Sequence, residues 1–170
     1  MAKYRETSRS TQRARALDVV FEADEKGLLY PEDLLDLLGE RRSVSTAQVP
    51  IGDFGCELVK AFADDFDNVD TLIEAASEDW SLDRMNVVDR SILRLGTAEL
   101  LALDTPRPTL VAEWANLARK LSTDRSVGFV MGVLNKAADI RAREIGQRAE
   151  VDEAPAEEPV IEESETVTEE

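Results

Sequence analysis

Apolar residues recur along most of this chain at intervals of three and four positions, a spacing that places them on one face of an α-helix. The first such stretch starts near Ser10 and stops at Gly27, because glycine tolerates the left-handed turn that closes a helix. The second begins at Pro31, which suits a first helical turn, and is expected to end at Gly39. Residues 40–49 lack a period and predict a loop.

Five further stretches with a helical period follow this loop. The third predicted helix opens at Pro50, the fourth ends near Trp80, and Asp83 is expected to cap the fifth. Two prolines break the fifth helix, and the sixth and seventh then run to Gly146. No stretch alternates with period two for long enough to predict a strand. The pattern therefore predicts an all-α, compact bundle of about seven helices in two subdomains, three helices before about residue 67 and four after it.

The two ends of the chain differ from the middle in composition. Residues 1–8 are predicted to form a flexible basic arm, and residues 9–146 the helical domain. Residues 147–170 are predicted to be a disordered acidic tail, since a glutamate-rich segment cannot bury enough apolar surface to offset its ordering entropy. Ten acidic residues follow Arg148 and no basic one does, so the net charge of −16 describes the tail more than the domain.

The composition also bears on enzymatic chemistry. The chain has no histidine, which is the commonest general base and transition-metal ligand, and Cys56 is its single cysteine. An intrachain disulfide is therefore impossible, and neither a metal nor a cofactor is expected. There is no Gly-Lys-Ser or Gly-Lys-Thr phosphate loop and no run of about 20 apolar residues for a membrane span. These features predict a cytoplasmic protein that is not an enzyme and binds no membrane.

Two basic groups are candidates for contact with nucleic acid. Arg9 and Arg13 are four residues apart and share a face of the first helix, near the positive end of its dipole, where cations are unfavourable without an anionic partner. Lys120 and Arg125 flank the start of the last helix, and Phe129 follows Arg125 by one turn. A cation beside an aromatic ring suits an unstacked RNA base. A solvated helix surface and a core phenylalanine are the alternative interpretations.

Several short motifs occur in a definite order between about residues 9 and 140. After the arginine-rich start they are ALDVVF at 16–21, VD at 69–70, WSLDRM at 80–85, DRSILR at 89–94, EWANLAR at 113–119 and FVMGVL at 129–134. Their order and spacing resemble the NusB family. Trp114 stands where the family pattern has alanine, Met131 where it has asparagine, and Arg125 where relatives often have an acidic residue.

The resemblance implies an RNA-binding transcription antitermination factor. Such proteins bind the boxA-type element of single-stranded RNA with NusE, a ribosomal protein, and join NusA, NusG and RNA polymerase to support transcription of ribosomal RNA operons. The implied RNA-binding residues are Arg9, Arg13, Lys120, Arg125 and Phe129. The implied NusE-facing residues are Phe21, Glu22, Arg84 and Glu99. A homodimer stays open because some relatives self-associate, and the alternative function is an accessory RNA-binding domain acting with an RNA-modifying enzyme.

Overall fold

The computed structural model describes residues 8–153, and the regular structure in this part of the chain is helical. The α-helices are α1 (Ser8–Lys26), α2 (Pro31–Ser43), α3 (Asp53–Asp64), α4 (Phe66–Ala76), α5 (Val87–Ala102), α6 (Arg107–Leu121) and α7 (Asp124–Glu153). A 3₁₀ turn at Leu82–Arg84 precedes α5. Because residues 8–153 form seven α-helices and no strand, the predicted all-α fold is confirmed.

Helix α5 lies at the centre of the bundle and packs against α1, α3, α4, α6 and α7. Every residue from Ser91 to Leu100 is buried. The apolar side chains of α5 belong to a single hydrophobic core, to which the other six α-helices also contribute. The first three helices and the last four, predicted as two subdomains, therefore share one core across α5.

Several helix ends differ from the predicted ones. Gly27 does close α1, with a φ of +70°. Helix α2, however, continues past Gly39 to Ser43, because Arg41 in its last turn forms an ion pair of 2.6 Å with Glu22 of α1. Asn86, not Asp83, caps α5, since its side-chain oxygen accepts the backbone N–H of the third helical residue at 2.8 Å.

Helix α7 is longer than the apolar pattern predicts. Residues 147–153, predicted to begin the disordered tail, are helical, because most of them are good helix formers and none is glycine or proline. Ser8, predicted to end the basic arm, is the first residue of α1. The remainder of the predicted arm and tail, residues 1–7 and 154–170, lies outside the described residues.

Ion pairs fasten α5 to α1 and α4. Arg90 donates to both carboxylate oxygens of Asp24 at 2.6 and 2.7 Å, and these hydrogen bonds raise the pKa of Arg90 above its ordinary value. Arg94 bridges Asp24 at 3.2 Å and Asp70 of α4 at 2.9 Å. Both arginines come from the DRSILR motif, which thus holds the start of the core helix against two neighbours.

A close approach between α3 and α1 depends on Gly55. A Cβ there would lie 2.6 Å from Ile51 Cγ1 and 3.1 Å from the backbone oxygen of Gln12. We expect Gly55→Ala to lower the free energy of unfolding by about 1–3 kcal/mol through overpacking. Gly132→Ala is the matched control, since its Cβ would meet nothing within 4 Å, and it should stabilise α7 by about 0.5–1 kcal/mol. Urea denaturation measures both changes, and shifts of the same sign would contradict this packing.

Candidate nucleic-acid interface

The first predicted basic group lies at the start of α1. The guanidinium carbons of Arg9 and Arg13 are 4.9 and 5.3 Å from the centroid of the Phe54 ring, so the two arginines share a face as predicted. Arg9 is exposed, but Arg13 is only 2% exposed. Of the two predicted RNA-binding arginines of this group, Arg9 alone therefore presents its charge at the surface in this structure.

Arg13 is enclosed because its counter-charge is buried. Its Nη2 donates to Glu99 at 2.6 Å and its Nε at 3.0 Å. Glu99 is 0% exposed and also accepts Trp114 Nε1 at 2.7 Å and Thr105 Oγ1 at 3.1 Å. A buried carboxylate needs such partners, because burial without them costs several kcal/mol. Glu99, expected to face NusE, is thus a core residue in this structure.

The second predicted basic group surrounds the turn that joins α6 to α7. Lys120 lies in the last turn of α6, Arg125 in the first turn of α7, and both are exposed. Arg125 and Phe129 line a cleft of about 420 Å³. The other residues that line this cleft include Arg84, which was expected to face NusE, and Trp80.

The arginines of this cleft differ from most others in the molecule. Arg13, Arg41, Arg90 and Arg94 all form ion pairs with carboxylates. The side chains of Arg84 and Arg125, by contrast, have no hydrogen bond or ion pair with any residue in the range 8–153. Their donors are therefore available to an anion without the loss of an internal contact.

A buried carboxylate forms the floor of the cleft. Asp89 accepts Ser122 Oγ at 2.7 Å, Ser126 Oγ at 2.8 Å and Asn86 Nδ2 at 2.9 Å. These contacts fasten the α6–α7 turn to the start of α5 and so position Arg125. Sequence reasoning missed this network. The Asn-x-x-Asp spacing at positions 86–89, which resembles a capping box, was the one local signal for it.

The two basic groups are separated by the length of α5. Arg13 contacts Glu99 near the C-terminal end of α5, whereas the cleft includes Asn86 just before its N-terminus. Thirteen residues of α-helix correspond to roughly 20 Å. The structure therefore brings Arg125 and Phe129 together but leaves Arg9 at the opposite end of the core helix.

The residues expected to face NusE also lie in separate parts of the structure. Phe21 is exposed on α1, while the neighbouring Glu22 accepts hydrogen bonds from Arg41 at 2.6 Å and from Lys26 at 3.0 Å. The bond from Arg41, aided by Lys26, lowers the pKa of Glu22 to about 2. Arg90 donates to Asp24 near the end of α1 at 2.6 Å and to the backbone oxygen of Met85 at 3.2 Å, so the end of α1 lies near the turn that contains Arg84.

Metal-binding clusters and membrane-spanning helices are both absent from residues 8–153. No cluster of three or more acidic or cysteine side chains in this range is arranged to hold a metal ion. Within the same range, no helix combines the length and the apolar character that crossing a membrane requires.

Comparisons with known proteins agree with the motifs. The profile of the NusB family matches residues 10–139. Transcription antitermination protein NusB of Streptomyces coelicolor is 41% identical over 135 residues, which are 79% of this chain and 94% of the relative. The Bifidobacterium animalis subsp. lactis protein of the same name is 34% identical over 152 residues, 89% of this chain and 96% of the relative.

Solved structures give the same result for the fold. NusB of T. maritima superimposes with a TM-score of 0.61 at 27% identity, over 79% of this chain and 93% of that one. A crystal structure of the antitermination factors NusB and NusE in complex with dsRNA contains a chain with a TM-score of 0.61 at 26% identity, over 79% of this chain and 99% of that one.

The buried Arg13–Glu99 pair generates a stability prediction. Glu99→Gln keeps the shape of the side chain but leaves the Arg13 guanidinium without its main counter-charge, with Glu113 3.8 Å away as a weaker one. We expect a loss of about 3 kcal/mol in the free energy of unfolding, measured by urea denaturation. The double variant Arg13→Met/Glu99→Gln removes both charges, while the amide oxygen introduced at position 99 can still accept Trp114 Nε1, and it should recover most of this loss. A double variant less stable than Glu99→Gln would contradict the explanation.

The Glu22–Arg41 pair generates a pH prediction. Because the pKa of Glu22 falls from its ordinary 4.5 to about 2 in the folded protein, the pair stabilises the fold above pH 4.5 and this contribution disappears as the pH falls towards 2. The Tm difference between wild type and Glu22→Gln should therefore be largest at neutral pH and vanish near pH 2. Asp53→Asn is the control, since that carboxylate is almost fully exposed beside Arg42 and should change Tm little. A pH-independent Tm difference for Glu22→Gln would argue against the pair.

Proposed function

The chain belongs to the NusB family, and we propose that it is a cytoplasmic transcription antitermination factor that binds boxA-type single-stranded RNA together with NusE and supports transcription of ribosomal RNA operons. NusA, NusG and RNA polymerase are the further partners in this proposal. The observation that carries most weight is a cleft with two unpaired arginines and two aromatic rings at the position where the family resemblance implies RNA contact. A structural relative crystallised with NusE and dsRNA supports both classes of partner.

The proposed mechanism is assembly and not catalysis. Arg9, Lys120 and Arg125 neutralise phosphates, which supplies affinity, while Phe129 stacks on an unpaired base. Arg13 acts indirectly, because its pair with Glu99 fixes the first turns of α1 and thereby the position of Arg9. An RNA strand that touches both basic groups would have to span the roughly 20 Å between the two ends of α5.

In this proposal, RNA binding depends on the two cations at the cleft more than on the net negative charge of the whole chain. The interaction between a guanidinium and a phosphate is screened beyond about 8–10 Å at physiological salt. Arg84 and Arg125 therefore act on a strand in the cleft more strongly than distant carboxylates do. Because neither guanidinium has an internal partner among residues 8–153, phosphate binding there requires no ion pair to be broken.

The proposed NusE surface adjoins the RNA surface. Phe21 supplies an exposed aromatic ring on α1, and Arg84 lines the cleft. Glu22 would reach a partner only by exchanging its bonds with Arg41 and Lys26. Glu99 has no direct role in the proposed interface. A partner seated over Phe21 and Arg84 would contact bound RNA at the mouth of the cleft.

The RNA-binding role predicts a defined effect of Arg125. Fluorescence anisotropy with a labelled boxA-like single strand, with and without NusE, should show tighter binding than a scrambled strand and a further gain with NusE. Arg125→Ala should weaken boxA binding about tenfold and reduce the slope of log K against log salt by about 0.7, the value for one phosphate contact on a single strand. Arg42→Ala is the control, because Arg42 is an exposed arginine that pairs with Asp53 away from the cleft.

Three outcomes separate the candidate functions. Preference for boxA that rises with NusE and falls with Arg125→Ala supports the antitermination role. Equal binding to both RNAs, unaffected by NusE, supports the accessory domain of an RNA-modifying enzyme. Absence of RNA binding by the wild-type protein, with NusE present, would overturn both.

A further inference from the structure

Trp80 is a large aromatic side chain that the fold holds in place without burying. It lies in the bend between α4 and the 3₁₀ turn, and its backbone oxygen accepts Ser77 Oγ at 2.9 Å. Ser77 is itself buried, and the neighbouring Glu78 forms an ion pair with Lys136 of α7. The N-terminal side of the bend is therefore anchored, yet the Trp80 side chain remains 51% exposed and lines the cleft.

The other side chains of the cleft complement an aromatic ring. Phe129, from α7, is half-buried and lines the same space as Trp80. Arg84, from the 3₁₀ turn before α5, and Arg125, from α7, add two guanidinium groups that have no partner among residues 8–153. Aromatic faces and cations at one cleft provide stacking surfaces together with sites for phosphate.

The floor of the cleft is rigid and needs no ligand to satisfy it. Asp89 is buried, and both of its oxygens accept hydrogen bonds from side chains of the same network. Ser126 Oγ lies 2.9 Å from Ser122 Oγ and 2.8 Å from Thr123 Oγ1. This network joins α5 to the α6–α7 turn and so holds Arg125 and Phe129 opposite the 80–84 segment before any ligand binds.

We infer that this cleft receives one unpaired nucleobase of the bound RNA, which stacks on Trp80 while Arg84 and Arg125 contact the flanking phosphates. The inference rests on the proposed RNA-binding function and extends it to two residues that the family resemblance did not assign to RNA. The cleft volume of about 420 Å³ lies at the lower end of the usual range for small-molecule pockets, which fits one base with its sugar. A paired base cannot enter, because it remains stacked within its helix.

Charge favours this occupant over a purely apolar one. The unpaired charges at the cleft are two cations, whereas the carboxylate of Asp89 is already bonded to two hydroxyls and an amide. An apolar peptide in the cleft would offer the two guanidinium groups no anion to bind. A nucleotide offers one flat apolar face and one adjacent negative charge.

Abasic scanning tests the inference. The boxA-like strand is made as a series in which each member lacks the base at one position. With wild-type protein, one abasic position should weaken binding about tenfold, the effect expected for loss of one stacked base. Trp80→Ala should weaken binding of the intact strand about tenfold, and the same abasic position should then cause no further loss. Trp80→Phe, which keeps a stacking face, should restore most of the affinity.

Controls separate this inference from the proposed function. Tyr30→Ala removes another exposed aromatic ring, outside the cleft, and should leave the affinity at its wild-type value. If Arg125→Ala weakens binding but Trp80→Ala does not, the inference is wrong while the RNA-binding function stands. The same holds if, at every position, the loss of affinity caused by the missing base is as large with Trp80→Ala as with the wild-type protein. If the wild-type protein binds no RNA, both fail.

Tryptophan fluorescence gives a second readout that does not depend on affinity. Of the two tryptophans, Trp114 is buried against Glu99 and Trp80 is open to the cleft. Stacking of a base on Trp80 should quench the emission of the wild-type protein when the single strand is added. Trp80→Phe should bind RNA without this quenching. Unchanged wild-type emission at saturating RNA would overturn the inference. A duplex of the same sequence that displaces the single strand with equal affinity would also contradict it.

Discussion

Burial of α5 on all sides is the constraint from which the rest of the structure follows. A helix that contacts five neighbours places Arg94 and Glu99 where water cannot solvate them, and an unpaired charge there would cost several kcal/mol. Asp24 and Asp70 supply the counter-charges for Arg94, and Arg13 supplies that for Glu99. Helices α1 and α4 are therefore positioned against the core helix by charge as well as by apolar contact.

The candidate site forms where this internal pairing ends. At the N-terminus of α5, Asp89 is satisfied by hydroxyl groups and an amide and not by an arginine. The nearby Arg84 and Arg125 consequently keep their charges at the cleft without partners among residues 8–153. Arginines that stabilise the fold and arginines that are open to a ligand thus differ in what surrounds them.

The departure from the family pattern at Trp114 has a structural explanation. Its indole fills the core and donates to Glu99, so it adds a third hydrogen-bonding residue to the buried carboxylate alongside Arg13 and Thr105. Gly96 provides room for this ring, since a Cβ there would lie 3.2 Å from Trp114 Cδ1. Nothing in the structure explains Met131, which is exposed on α7.

The sequence by itself determined the helical class, the order of the helices and their approximate number, because the apolar period and the glycine and proline stops are local signals. It also indicated Arg125 and Phe129 as neighbours, since residues four apart on one helix meet. Only the tertiary structure decided which charges are buried. Arg9 and Arg13 share a helix face, yet Arg13 alone meets a buried carboxylate, 86 residues away in the chain. The helix end at Ser43 and the placement of Trp80 and Arg125 at one cleft likewise depend on contacts between distant segments, which no local spacing encodes.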